Sequence, residues 1–574
     1  MSCLVWVVGS AAAIAQALEG YSKICTIDLA RGRSVRACFE SQLKMGLQSI
    51  CTRFTLPVQN PILPGFNPDP SIIRVGDDFY IATSTFEWWP GVRIHHSRDL
   101  VNWRLLGHAL TRPDQLDMRG NPSSGGIWAP GLSHCDGVFH LVFTNVRNLG
   151  SGFVDAHNHL VTTEDIEGEW SDPIPLNSHG FDPSLFHDHD GRKWLVNMIW
   201  NHRSSNKSGG ILLQEYDSAS RSLVGDSKLI FPGTRFEGTE APHLYRRGDW
   251  YYLMTAEGGT GYGHVVTLAR SATIDGPYEV CPNNPILTAR DDDDLPLQKA
   301  GHASLVETGN GRWYLAYLCG RPLPGTRQCN LGRETALVEC RWNEEDWLEL
   351  VSGTNQPEIE VEDPGLEPHP FPAVADRDEF DDPTLPPHFN TLREPPDESW
   401  CSLQARPGWL RLVGRESPGS RFDVSLVARR LESFNGTFGT VVDHHPSTSQ
   451  QFAGMMVMYD ERNFFLLRVT HDGDSGRCLG VASAEQGRYR ESPSVRIPDD
   501  GLVHLEARFD GSSIQFAYRV DGRDWAVVRG RYDAGILSDD SCNGFTGTFV
   551  GLCAHDLTGA GLHADFDFFS YRRS

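Results

Sequence analysis

Between residues 60 and 320 the chain alternates short apolar and aromatic runs with glycine or charged turns. No stretch carries the 3.6-residue period of a long helix, so the pattern predicts strands. One short pattern recurs five times: Gly76-Asp77-Asp78-Phe79-Tyr80-Ile81, Gly137-Val138-Phe139-His140-Leu141, Gly191-Arg192-Lys193-Trp194-Leu195, Gly248-Asp249-Trp250-Tyr251-Tyr252-Leu253 and Gly311-Arg312-Trp313-Tyr314-Leu315. The glycines stand 61, 54, 57 and 63 residues apart. Each is preceded by a second element: Asp69-Pro70-Ser71-Ile72, Trp128-Ala129-Pro130-Gly131-Leu132, Asp182-Pro183-Ser184-Leu185, Glu240-Ala241-Pro242-His243-Leu244 and His302-Ala303-Ser304-Leu305. Each unit thus opens on one special residue, enters a short strand, turns at glycine and returns on an aromatic strand. Five all-β units of this size predict a five-bladed β-propeller over residues 56–354. The competing arrangement is a sandwich with coincidental hairpins.

Residues 355–378 are rich in proline and acid and read as a linker. From 379 to 574 a new alternation begins, in runs such as Phe452–Met458, Phe464–Thr470 and His504–Phe509. Its spacing fits a two-sheet β-sandwich. Residues 1–55 match neither pattern. They hold an apolar stretch from Cys3 to Leu18 and then a basic-leaning segment, and read as signal-like, transit-like or an artefact of the gene boundary.

Composition narrows the function. The 574 residues carry a net charge of −24, which works against nucleic acid or an anionic membrane as partner. The thirteen cysteines follow no zinc or disulfide spacing, which favours a reduced, intracellular compartment with secretion as the alternative. The run Asp291–Asp294 reads as a solvated loop.

In a propeller the residue opening each innermost strand sits at the mouth of the central channel. Asp69, Trp128, Asp182, Glu240 and His302 would therefore converge on one pocket. Alone, Asp-Pro-Ser is a common turn and a histidine is often core; equivalent placement in a repeat is what points to chemistry. Two carboxyl groups across a pocket are the machinery of glycoside hydrolysis, one giving a proton to the leaving oxygen and the other activating water or attacking. A third acid helps to keep the donor protonated. The aromatics Phe86, Trp88, Trp89, Trp128 and Trp200 suit the apolar faces of sugar rings.

These same residues carry a resemblance. Asn60-Pro61-Ile62-Leu63-Pro64-Gly65-Phe66-Asn67-Pro68-Asp69-Pro70-Ser71 is very similar to the opening of glycoside hydrolase family 43 β-xylosidases, as are Tyr80–Gly91 and Ser97-Arg98-Asp99-Leu100-Val101-Asn102-Trp103. Gly180–Ser184, Thr239–Tyr245 and Phe545-Thr546-Gly547-Thr548-Phe549-Val550-Gly551 extend the match to the C-terminus. The resemblance implies an all-β chain, a five-bladed β-propeller followed by a concanavalin-like β-sandwich. It implies Asp69 as general base, Glu240 as general acid and Asp182 as the residue that orients the acid and tunes its pKa. Because the family inverts, base and acid would stand roughly 6.5–9.5 Å apart. It further implies His302 as a pocket histidine, Arg333 as a sugar-contacting arginine, Phe86, Trp128 and Trp200 as subsite walls, and Phe549 as the sandwich residue closing the pocket mouth.

The implied activity is exo release of xylose from the non-reducing end of β-1,4-xylo-oligosaccharides. An α-L-arabinofuranosidase, or a bifunctional enzyme, is the alternative, and a non-catalytic sugar-binding propeller a distant one. No metal ligand set or required cofactor emerges. A structural or activating divalent cation such as calcium, and a homo-oligomeric state, both stay open.

Overall fold

A computed structural model describes residues 57–574, which form one compact unit. The expectations for residues 1–55 lie outside the described residues. Five antiparallel sheets of four or five strands follow one another along the chain. Their first strands are Ser71–Val75, Gly126–Cys135, Ser184–His187, Glu240–Arg247 and Gln298–Glu307. Each first strand touches the next, and the fifth touches the first, which closes the ring of a five-bladed propeller. The five repeat glycines all turn with positive φ, from 58° to 86°, a region side chains avoid.

The serine of the repeated Asp-Pro-Ser and His-Ala-Ser elements ties blade to blade. The Ser71 hydroxyl accepts from the Leu132 N–H, Ser184 donates to the Pro242 carbonyl, and Ser304 accepts from the Ile72 N–H. Ring closure is reinforced by Asn60. Its amide donates to the Leu337 and Glu358 carbonyls and accepts from the Leu337 N–H, fixing the start of the described chain to the last blade. The segment read as a structureless linker contributes to the same seal, since Glu360–Val361 pairs with Val58–Gln59.

Past the linker lie two sheets of ten and nine strands, a concanavalin-like sandwich. The described residues there contain one short α-helix, Asp539–Cys542, capped by the Ser538 side chain. Along Asn463–Asp472, Phe465, Leu467 and Val469 fill the space between the two sheets. Phe464 and Leu466 point the other way, into a cluster shared with Phe66, Phe86 and Trp88 of the propeller. Both faces of this sheet are thus buried over much of its area, which accounts for its nearly unbroken apolar strands. The propeller even supplies the sheet's edge: Trp88–Trp89 pairs with Asn390–Leu392. Trp88 and Trp89 are therefore structural, 0% and 2% exposed, and not the sugar platforms expected of them.

Candidate active site

The five openers do not occupy the same position in their strands. Asp69 and Asp182 lie two residues ahead of Ser71 and Ser184. Glu240 begins its strand, while Trp128 and His302 sit inside theirs. Backbone irregularities restore their equivalence. Asp69, Asp182, Ala241 and His302 all have positive φ, between 43° and 57°. Pairing shifts between Trp128 and Gly131, between Glu240 and His243, and on either side of Gly301. Bulges and left-handed residues re-aim side chains, and such strain collects at working sites.

The three carboxyls are held differently. Asp69 receives donors on both oxygens, from the Ser84 hydroxyl at 2.6 Å and the Arg333 Nη1 at 3.2 Å. The His302 Nδ1 stands 3.5 Å from it. Asp182 accepts one hydrogen bond, from the Ala241 N–H at 3.1 Å. Glu240 accepts none among the described residues, and it is the most exposed of the three. Burial first, then the charges of Glu240 and Asp69, push the Asp182 carboxyl well above the usual carboxylate range. Burial, with Asp69 second, raises Glu240 from 4.5 to about 7 against the pull of Arg333. Burial lowers the pKa of His302 despite Asp69, which favours the neutral imidazole.

Arg333 joins the two domains at this point. Beyond Asp69 it donates to the Thr260 hydroxyl at 2.8 Å and to the Phe545 carbonyl of the sandwich at 3.0 and 3.2 Å. Its guanidinium also lies over the rings of Phe86 and Phe545, at 5.3 and 5.7 Å. The close approach needs two glycines. A Cβ on Gly332 (φ +80°) would stand 2.8 Å from the Gly547 Cα, and one on Gly547 would stand 3.0 Å from the Gly332 Cα.

The walls match expectation in part. Phe86, Trp128 and Phe545 form one aromatic group with centroids 5.6–6.3 Å apart. Trp128 and Trp200 flank Phe181, and Trp200 donates to the Gly152 carbonyl. Phe549 is a correction. It is 0% exposed, stacked on Trp88 at 3.6 Å and set edge-on to Phe66. Strand alternation turns it into the interdomain core. Half-buried Phe545, ahead of the strand Phe549–Asp556, takes the place beside Arg333.

Ser84, Thr260 and Phe545 join the site without a sequence signal of their own. Ser84 and Phe545 do lie within quoted motifs, whereas nothing near Thr260 distinguishes it. Among the described residues the donor atoms of Cys329, Asp539 and Asp540 cluster closely enough for a metal. The Lys299 ammonium already lies 2.8–3.0 Å from both carboxylates there and supplies the positive charge.

Residues 58–348 match the family model for glycosyl hydrolases family 43. The chain belongs to this family. Residues 377–572 match the β-xylosidase C-terminal concanavalin A-like domain. A xylosidase/arabinosidase 43B from Humicola insolens is 49% identical over 528 residues, 90% of this chain and 97% of that one. A xylan 1,3-β-xylosidase from a Vibrio species is 46% identical over 534 residues, 90% of this chain and 99% of that one. The crystal structure of a xylan β-1,4-xylosidase from Bacillus halodurans superposes with a TM-score of 0.89 at 52% identity, covering 90% of this chain and all of that one. This family 43 chain is accordingly a glycoside hydrolase, and no helix among its described residues is long and apolar enough to cross a membrane.

Proposed function

We propose that this family 43 enzyme is an exo-acting, inverting β-1,4-xylosidase that releases xylose from the non-reducing end of xylo-oligosaccharides. The observation that carries the reading is Glu240: a carboxyl raised to about 7, accepting no hydrogen bond among the described residues, and sensing the charge of an Asp69 held by donors. Glu240 gives its proton to the glycosidic oxygen as the C–O bond breaks. Asp69 takes a proton from a water whose oxygen attacks the anomeric carbon from the opposite face. The products are α-xylose and a chain shortened by one unit, with Asp69 protonated and Glu240 ionised until solvent resets both. Asp182, tied to the Ala241 N–H, holds the turn that aims Glu240, while burial and Asp69 disfavour the ionised form of Glu240. No cofactor enters this chemistry.

Following xylobiose hydrolysis by NMR tests the reading: α-xylose is expected first. Initial β-xylose would contradict inversion, and no release would end the proposal. Comparing β-1,4- with β-1,3-linked xylobiose decides linkage, on which the named relatives differ. A second reading, arabinofuranosidase activity, is favoured by the dual name of the Humicola relative. Relative rates on aryl β-xyloside and aryl α-arabinofuranoside separate the two.

A further inference from the structure

The nine-stranded sheet is covered by the propeller over only part of its outer face. Beyond that contact lies a groove of about 480 Å³, within the size range of roughly 300–1,000 Å³ usual for ligand sites. Its floor is the outer face of Asn463–Asp472, where Arg468 and Thr470 continue past the Phe464 and Leu466 of the interdomain cluster and alternate with core residues. That strand, ten residues and about 33 Å long, runs along it. One wall is the edge strand Arg488–Glu491, where Tyr489 pairs with Ala484 and so faces the groove.

Tyr489 is 55% exposed, yet its orientation is fixed. Its hydroxyl accepts from the Arg468 Nη1 at 2.7 Å and donates to Glu491, and the Arg468 Nη2 bonds Glu491 at 2.7 Å. The result is a rigid exposed ring beside a largely buried guanidinium that lies over Phe452 at 5.5 Å. An exposed ring held in place binds at little entropic cost. Arg468 is paired with Glu491 and Arg421 with Glu461, and the lining adds the carboxylate of Asp472, so the described residues here offer no excess of Lys or Arg charge for an anionic ligand. A fixed aromatic face, a polar rim and an elongated shape suit a neutral chain of sugar rings. Glu461 at one end also bonds Ser123, whose neighbour Ser124 accepts from the Phe545 N–H at the catalytic pocket.

We propose that this groove is a second carbohydrate site that holds a xylan chain away from the catalytic pocket, with Tyr489 as its platform. The xylan identity of the ligand rests on the function proposed above. The test is native electrophoresis of the full chain through gels with and without soluble arabinoxylan, beside xylobiose hydrolysis in solution. The wild type is expected to be retarded, and Tyr489→Ala to lose the retardation by about tenfold in apparent Kd while hydrolysing aryl xyloside normally. Tyr489→Phe, which keeps the ring, should retain most of it, and matching thermal melts would show all three folded. No retardation of the wild type, or equal retardation of Tyr489→Ala, overturns the site. Unchanged retardation with an altered sedimentation mass would make the groove a subunit contact and also overturn it. Tyr489-dependent retardation without xylobiose hydrolysis would uphold the groove and sink only the catalytic reading.

Discussion

The raised pKa of Glu240 has a measurable consequence. A group with a pKa of about 7 is about 90% protonated at pH 6, whereas at 4.5 it would be about 3% protonated. Burial and Asp69 therefore maintain about 30-fold more of the working acid at pH 6, equivalent to ~2 kcal/mol. The sign follows from the role: an acid works while protonated, so kcat/KM for xylobiose should fall about tenfold per pH unit above about 7. The perturbation is Glu240→Gln, which keeps shape and removes the proton donor. On xylobiose, whose leaving group is a sugar hydroxyl, the loss should be about 10²–10⁴-fold. On a dinitrophenyl xyloside, which leaves without protonation, the loss should be small and the alkaline limb should vanish. Parallel kcat/KM profiles from pH 5 to 9 on both substrates provide the assay. Equal losses on the two substrates, or an alkaline limb that survives the substitution, would refute Glu240 as the acid and with it the electrostatic reasoning.

The two sandwich phenylalanines should separate cleanly. Phe545→Ala should lower kcat/KM about tenfold with little change in Tm, whereas Phe549→Ala, emptying a fully buried site, should cost about 3–5 kcal/mol of stability by denaturant unfolding. Gly332→Ala forces a side chain onto Gly547 at positive φ and should destabilise by roughly 1–3 kcal/mol in thermal unfolding, with activity falling alongside as Arg333 loses its seat. Exhaustive dialysis against a chelator should leave the aryl xylosidase rate unchanged, because Lys299 already neutralises the acidic cluster of Asp539 and Asp540. A loss restored by calcium would show a cation site that the proposed chemistry leaves out.

Much of the architecture was legible because each blade repeats a local rule. The turn glycines need positive φ and the aromatic strands need a pleated, buried surface, and both are properties of a few adjacent residues. The repeated serine was visible as well, but its use was not. Ser71, Ser184 and Ser304 bond across blades, to partners 58–232 residues away in sequence. Trp88 and Trp89 show the same boundary from the other side. Their composition suits a sugar platform, and only the pairing with Asn390–Leu392 reveals an edge strand lent to the second domain.

The chain's own order of residues determined that five units each begin on a special side chain, and that three of these are acids flanked by Pro or Ala-Pro. Local backbone chemistry was enough for that, since it acts over a few residues. Tertiary structure alone set the three carboxyls apart. Glu240 and Asp182 are ordinary carboxyls until burial and neighbouring carboxyls raise them, and that field comes from residues distant in sequence. The same holds at Arg333, whose partners Asp69, Thr260 and Phe545 lie 264, 73 and 212 residues away. Only the packing of sandwich on propeller puts Phe545, rather than Phe549, beside the pocket.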